Sequence, residues 1–182
     1  AESGLNIRLV ANDPATFNGL LAKANFSGAK NFFVLVGKKG DDLEEKAGYY
    51  GERLVLKAQQ LGLNTCWGAS FSGRKFAAQL AEDEKTVIVI AFGYGVTQGV
   101  PHKSKPLESL CRVEGEMPAW FRAGMEAAMR APTAKNQQRF LLTLSGGTVK
   151  AESLGGAFSK IDLGIVKYHF ELGAGSGSFQ WQ

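Results

Sequence analysis

The chain has 182 residues, 45% of them hydrophobic and 21% charged, enough for one globular domain with a full core. It contains no run of 18 apolar residues, so no membrane-spanning helix is expected. Lys plus Arg exceed Asp plus Glu by only 21 to 17, a net +4 too mild to mark a nucleic-acid face.

The opening "AESGLNIRLV" has no starting Met and neither the charged nor the apolar region of a signal peptide, and it enters a strand pattern within four residues. The expectation is of a chain that begins inside a longer natural protein. "LNIRLV" (5–10) alternates as a strand and runs into "ANDP", where Asp13 serves as N-cap and Pro14 as first helical position. "NFFVLVG" (31–37) is an apolar run of strand length. From Asp41 to Leu61, the residues Ala47, Tyr50, Leu54, Ala58 and Leu61 recur at helical spacing, and Gly62 supplies the stop. A short helix is expected from Ser72 to about Leu80, followed by the most strand-like stretch, "KTVIVIAFGYG" (85–95). "EMPAWFRAGMEAAMRA" (116–131) reads as the second major helix, bounded by Pro118 and Pro132. "RFLLTL-SGG-TVKAE" reads as a hairpin turning at Gly146 and Gly147. A last helix is expected from about Ile161 to Leu172, ending at Gly173.

Between Gly95 and Met117 the chain has no period, and about 20 residues is long for a connection, which suggests a functional or wrapping segment. The chain also echoes itself. "ERLVLKAQQLGLNTCW" (52–67) and "LGIVKYHFELGAGSGSFQW" (163–181) both run from helix through Leu-Gly and a polar loop to Trp. Two similar amphipathic helices explain this by chance, and a pseudo-duplicated core explains it by design. The two cysteines, Cys66 and Cys111, and the two histidines, His102 and His169, form no disulfide framework and no metal set, and fit a reducing, cytoplasmic setting.

Three stretches carry candidate chemistry, each beside a plainer explanation. In "APTAKNQQ" (131–138), Asn136 offers a donor and an acceptor suited to the edge of a pyrimidine-like ring, and small Thr133 and Ala134 let a flat ligand approach. A polar loop satisfying a helix end explains it as well. In "LGLNTCWGASF" (61–71), Trp67 suits a core, whereas Gly68 inside a strand marks close approach by a backbone or a ligand. In "GYGVTQGVPHKSKP" (93–106), Lys103 and Lys105 with His102 form a cationic clip able to hold a phosphate, or are simply solvated. No helix follows "GYGVTQG", so it is not a dinucleotide-binding fingerprint.

Together these stretches resemble the hallmarks of the nitroreductase-like flavoproteins: a "GLGTCW" turn after a central helix, a "GYP…RKP" loop after the main strand, and "APSAxNxQPW" leading into another strand. The likeness covers essentially the whole chain and is greatest to the branch that carries two related halves in one chain. Arg139 stands where that motif has Pro. Members usually open with an "RRSxR" segment, and the resemblance implies a chain that begins downstream of it and lacks that N-terminal segment.

The resemblance implies an α+β fold, a mainly antiparallel sheet flanked by helices. It implies a single domain over 1–182, with half one at about 1–95, a connecting arm at about 96–116 and half two at about 117–182. It implies FMN as cofactor, NADH or NADPH as electron donor, and a nitroaromatic, quinone or similar small molecule as acceptor. A flavin-binding or flavin-delivering protein without turnover is the alternative. By the same resemblance Pro132, Thr133, Ala134, Asn136 and Gln138 line one side of the isoalloxazine, Trp67, Gly68 and Ala69 approach flavin N5, and Lys103 and Lys105 contact the phosphate. Hydride transfer needs no protein acid or base, so no catalytic side chain is expected. Fused halves imply a monomer able to complete its own site, with a homodimer as the other arrangement. No nucleic acid, membrane or metal partner is expected.

Overall fold

The computed structural model describes residues 2–19, 22, 25–69, 80–175 and 177–182. The chain divides into two compact units, residues 1–47 with 53–99, and residues 48–52 with 100–182.

The first unit is built on a four-stranded sheet, β1 (Asn6–Val10), β2 (Phe32–Lys38), β3 (Asn64–Gly68) and β4 (Glu84–Gly93), in the order β1-β2-β4-β3 with every pairing antiparallel. The apolar run of β2 is explained by burial on both faces: Phe32, Val34, Leu35 and Val36 are all fully covered. One face packs Phe32, Val34, Val36, Val89 and Ala91 against Phe17 and Ala22. Asp13 precedes a single 3-10 turn, Pro14–Phe17, and accepts a hydrogen bond from Thr16 Oγ1 at 3.1 Å. The helix expected from Ser72 lies outside the described residues apart from Leu80.

Helix α1 (Leu43–Gln60) stops as the sequence leads one to expect. Gly62 adopts φ +76°, its N–H donates to Gln59 O at 2.9 Å and the Leu63 N–H to Ala58 O at 3.0 Å. Its buried stripe has a different phase from the one read off the sequence. Leu43, Ala47, Gly48, Glu52, Val55 and Ala58 are buried, whereas Leu61 is 61% exposed and Tyr50 and Leu54 are half-buried. The reason is Gly48, which permits a backbone approach that a count of large apolar residues does not register.

The second unit holds β5 (Cys111–Val113), helix α2 (Ala119–Ala128), β6 (Phe140–Ser145), β7 (Thr148–Ser153), helix α3 (Ser159–Ala174) and β8 (Gln180–Trp181). The sheet order is β5-β6-β7-β8. The β6–β7 hairpin turns on Gly146 (φ +55°) and Gly147 (φ +84°), a two-residue turn in the left-handed region that only glycine enters freely. β5 runs parallel to β6 and β8 parallel to β7. Three residues are too few to show a period, so β5 was hidden in the aperiodic arm.

Helix α3 is buried almost all round and packs along α2 and β7. It runs past Gly173, correcting the expected stop there. A side chain at Gly173 would collide with the Ala123 carbonyl and lie 2.6 Å from Ala127 Cβ, so this glycine serves a helix crossing. The true end is at Gly175, φ +81°, whose N–H donates to Glu171 O. The fold is therefore α+β with antiparallel pairing predominant. The echoed segments both run from a helix into an edge strand, α1 to β3 and α3 to β8, but β3 pairs antiparallel and β8 parallel.

Candidate functional site

The polar stretch after α2 forms a tightly bonded loop in the second unit. α2 ends at Ala128, and Thr133 begins a 3-10 turn over Ala134–Asn136. Along the loop Lys135, Asn136 and Gln138 take φ of +53°, +52° and +46°. Three non-glycine residues in the left-handed region within four positions are unusual, at roughly 1–2 kcal/mol each, somewhat less for Asn. Such strain persists only where surrounding bonds over-determine the backbone.

Those bonds are present. Gln138, 3% exposed, receives at Oε1 the backbone N–H of Lys105 at 2.8 Å. Its Nε2 donates to Lys103 O and to Asn136 Oδ1, both at 2.9 Å, and its own N–H donates to Thr133 Oγ1 at 3.0 Å. Asn136 Nδ2 donates to Lys103 O at 2.9 Å, and Asn136 Oδ1 meets His102 Nε2 at 2.5 Å. The Lys105 ammonium donates to Gln137 O at 2.8 Å and Gln138 O at 3.1 Å, and Ser104 Oγ donates to Met129 O at 2.9 Å. Each such bond is worth about 0.5–1.5 kcal/mol net, more where an ammonium is the donor, which is the scale needed to hold the strain.

On its other side the loop rests on α3. Asp162, 6% exposed in the first turn of that helix, accepts from the Ala134 N–H at 2.9 Å and from Gln137 Nε2 at 2.7 Å. Gln137 Nε2 also reaches Ala157 O at 2.9 Å. Burial pushes the Asp162 carboxyl above its ordinary value of 3.8, and the bonds from Gln137 and Ala134 pull it partly back. The folded chain thus holds this proton more tightly than the unfolded chain does. The stability that goes with the protonated form is complete below 3.8 and is lost as pH rises through the raised value. Asp162→Asn should therefore gain on the wild type as pH rises across that window and then level off, as read from urea midpoints at a series of pH values. A difference independent of pH would contradict the assignment.

The structure thus brings Thr133, Ala134, Asn136 and Gln138 into one network with the backbone of Lys103 and Lys105, and leaves Pro132, Lys103 and Asn136 exposed. Trp67, Gly68 and Ala69 belong to the first unit, at the end of β3 and just beyond it. Trp67 is half-buried opposite Ile90. At Gly68 a Cβ would sit 2.5 Å from Phe26 Cζ and 3.3 Å from Val89 Cγ2, so a larger residue there would have to displace the Phe26 ring. A separate cavity of about 650 Å³ in that unit is lined by Lys30, Thr65, Cys66, Phe92 and Tyr94 among others, with Phe92 stacked on Phe33 at 4.8 Å. Among the described residues no cluster of three or more His, Cys, Asp or Glu is placed to hold a metal, and no helix is long and apolar enough to cross a membrane.

Residues 1–174 match the protein family described as "Putative TM nitroreductase". The chain belongs to this family. Among solved structures, a putative nitroreductase of Thermotoga maritima is 24% identical with a TM-score of 0.65, over 92% of this chain and 64% of that one. An FMN-dependent nitroreductase of Clostridium difficile is 18% identical, with a TM-score of 0.42 over 53% of this chain and 66% of that one. A putative NADH dehydrogenase/NAD(P)H nitroreductase of Parabacteroides distasonis is 17% identical, with a TM-score of 0.48 over 59% and 71%. The sequence matches none of the curated proteins. The likeness to the Thermotoga maritima protein is one of fold, and this chain spans 64% of its length.

Against the nitroreductase-family motifs, the sequence reading missed the residues that hold the 131–138 loop in place. Asp162 was hidden because an acidic residue in a first helical turn is ordinary, Ser104 because short polar side chains crowd every loop, and the role of Gln137 because its partners Ala157 and Asp162 are 20 and 25 residues away. His102 was seen only as a neighbour of two lysines, and its partner Asn136 is 34 residues away.

Proposed function

We propose that this nitroreductase-family chain is an FMN-dependent oxidoreductase that passes electrons from NADH or NADPH to a nitroaromatic, a quinone or a similar small acceptor. The observation that carries this reading is the 132–138 loop, a strained backbone held by its own hydrogen bonds, which is where binding sites store conformational cost. The loop's chemistry fits the cofactor. Thr133 and Ala134 are small and half-buried, exposed Asn136 carries a donor and an acceptor, and exposed Lys103 suits a phosphate. Lys105 fits that last role less well, because two of its three ammonium donors are engaged by carbonyls. FMN supplies the two-electron chemistry when bound, while the chain supplies orientation and charge.

A second reading, flavin binding or delivery without turnover, is favoured by the internal saturation of the loop, since Asn136 and Gln138 spend their amides on one another and on Lys103. Spectroscopy separates the two. The purified chain incubated with FMN should keep the flavin absorbance bands through gel filtration and bleach rapidly under anaerobic NADH or NADPH. Retained bands without bleaching would favour the second reading, and no retained flavin would refute both.

A further inference from the structure

The segment 102–105 lies against the strained loop of the second unit and touches it through four kinds of group: a ring nitrogen, a main-chain carbonyl, a main-chain N–H and an ammonium. We propose that His102 and Lys105 are positioning residues that hold the 133–138 loop in its binding shape, and that Lys105 clamps the loop's carbonyls in place of serving the phosphate. The proposal rests on the flavin reading for its ligand, but the clamp itself is read from the geometry of the second unit.

Lys105 reaches the loop three times. Its N–H donates to Gln138 Oε1, and its ammonium donates to the carbonyls of Gln137 and Gln138, the latter a left-handed residue. Gln138 is 3% exposed, so removing the ammonium withdraws a partner from a carbonyl of a buried residue.

The role of His102 follows from the orientation of one amide. Asn136 Nδ2 donates to Lys103 O, which turns Oδ1 toward both Gln138 Nε2 and His102 Nε2. An amide oxygen only accepts, so His102 must carry its hydrogen on Nε2. The ring thus fixes Asn136 in the conformation at φ +52° from which it faces outward. Glutamine at 102 can offer an N–H in the same place, and alanine cannot.

The test uses the full chain as wild type, Lys105→Ala, His102→Ala and His102→Gln. FMN and phosphate-free riboflavin are titrated by fluorescence, and amide hydrogen exchange is followed at Asn136, Gln137 and Gln138. A clamp predicts that Lys105→Ala and His102→Ala weaken both flavins by the same factor, roughly tenfold for the loss of a charge-assisted or short bond. The three loop amides should exchange faster by a similar factor while Leu142 and Leu144 in β6 stay protected, and His102→Gln should restore both readouts. Selective loss of FMN in Lys105→Ala would make that lysine a phosphate ligand and overturn the clamp. Unchanged exchange at the loop would overturn it for either residue. If the wild type binds neither flavin, the flavin reading falls, and the exchange comparison still decides whether 102–105 holds the loop.

Discussion

Gly48→Ala should cost the second unit at least about 3 kcal/mol, toward the upper end of what single substitutions do, and should leave little folded protein at elevated temperature. A Cβ at this position would collide with the main-chain carbonyl of Ile161, with Ile165 N only 3.1 Å away. Both neighbours belong to the backbone of α3, which is buried nearly all round and cannot swing aside as a side chain would. Alanine favours a helix over glycine by about 1 kcal/mol, so propensity alone predicts a gain. The clash outweighs that gain, because the close crossing also places the buried Glu52 against His169, 2.8 Å between Oε1 and Nε2, and Tyr49 against Glu171. Moving α3 away breaks a buried pair along with apolar contacts. Gly19→Ala is the control: φ there is not left-handed and nothing lies within 4 Å, so it should change stability by less than about 0.5 kcal/mol. Urea denaturation of the two variants is sufficient, and a Gly48→Ala protein as stable as the Gly19→Ala protein would show that the crossing is not this close.

Phe170→Ala should cost about 3–5 kcal/mol, the range for emptying a fully buried aromatic site. Phe170 is completely covered and sits among Phe121, Phe179 and Trp181 at 5.4, 5.1 and 5.6 Å between ring centroids, with Trp120 at 6.5 Å. Phe179 in turn stacks on Trp120 within 3° of parallel. The loss should therefore also shift the tryptophan fluorescence, because Trp120 and Trp181 both lose a neighbour. The sharper test is a cycle with Gly124, where a Cβ would lie 2.6 Å from the Phe170 ring. Gly124→Ala alone should destabilise by about 1–3 kcal/mol through overpacking. In the Phe170→Ala background the same methyl enters the space the ring has left, so its cost should vanish or change sign. Additive effects of the two substitutions would mean that ring and glycine do not meet.

Local chemistry in the amino-acid sequence was enough to place the three long helices and the strands β1, β2, β4, β6 and β7. The α1 terminus at Gly62 and the β6–β7 turn at Gly146 and Gly147 depend on backbone freedom at single residues, which needs no knowledge of neighbours. The apolar run of β2 and the three motifs of the nitroreductase family were equally readable in one dimension. Only the tertiary structure decided what the special residues are for. Gly173 stands where a helix stop was expected, yet it lies inside α3, because the constraint on it comes from the Ala123 carbonyl of another helix. Gly68 invites a ligand by its place in a strand, and the structure adds a neighbour that no sequence shows, Phe26 Cζ, 2.5 Å from where a Cβ would sit. Strand β5 exists only through its ladder with β6. The candidate loop shows the same division. Five polar side chains within residues 133–138 are evident from the sequence, but the directions of Asn136, Gln137 and Gln138 depend on Lys103, Lys105 and Asp162, 25 to 35 residues away along the chain. A hydrogen-bonding group carries its capacity wherever it stands, and its partner is chosen only when folding brings distant backbone within 3 Å.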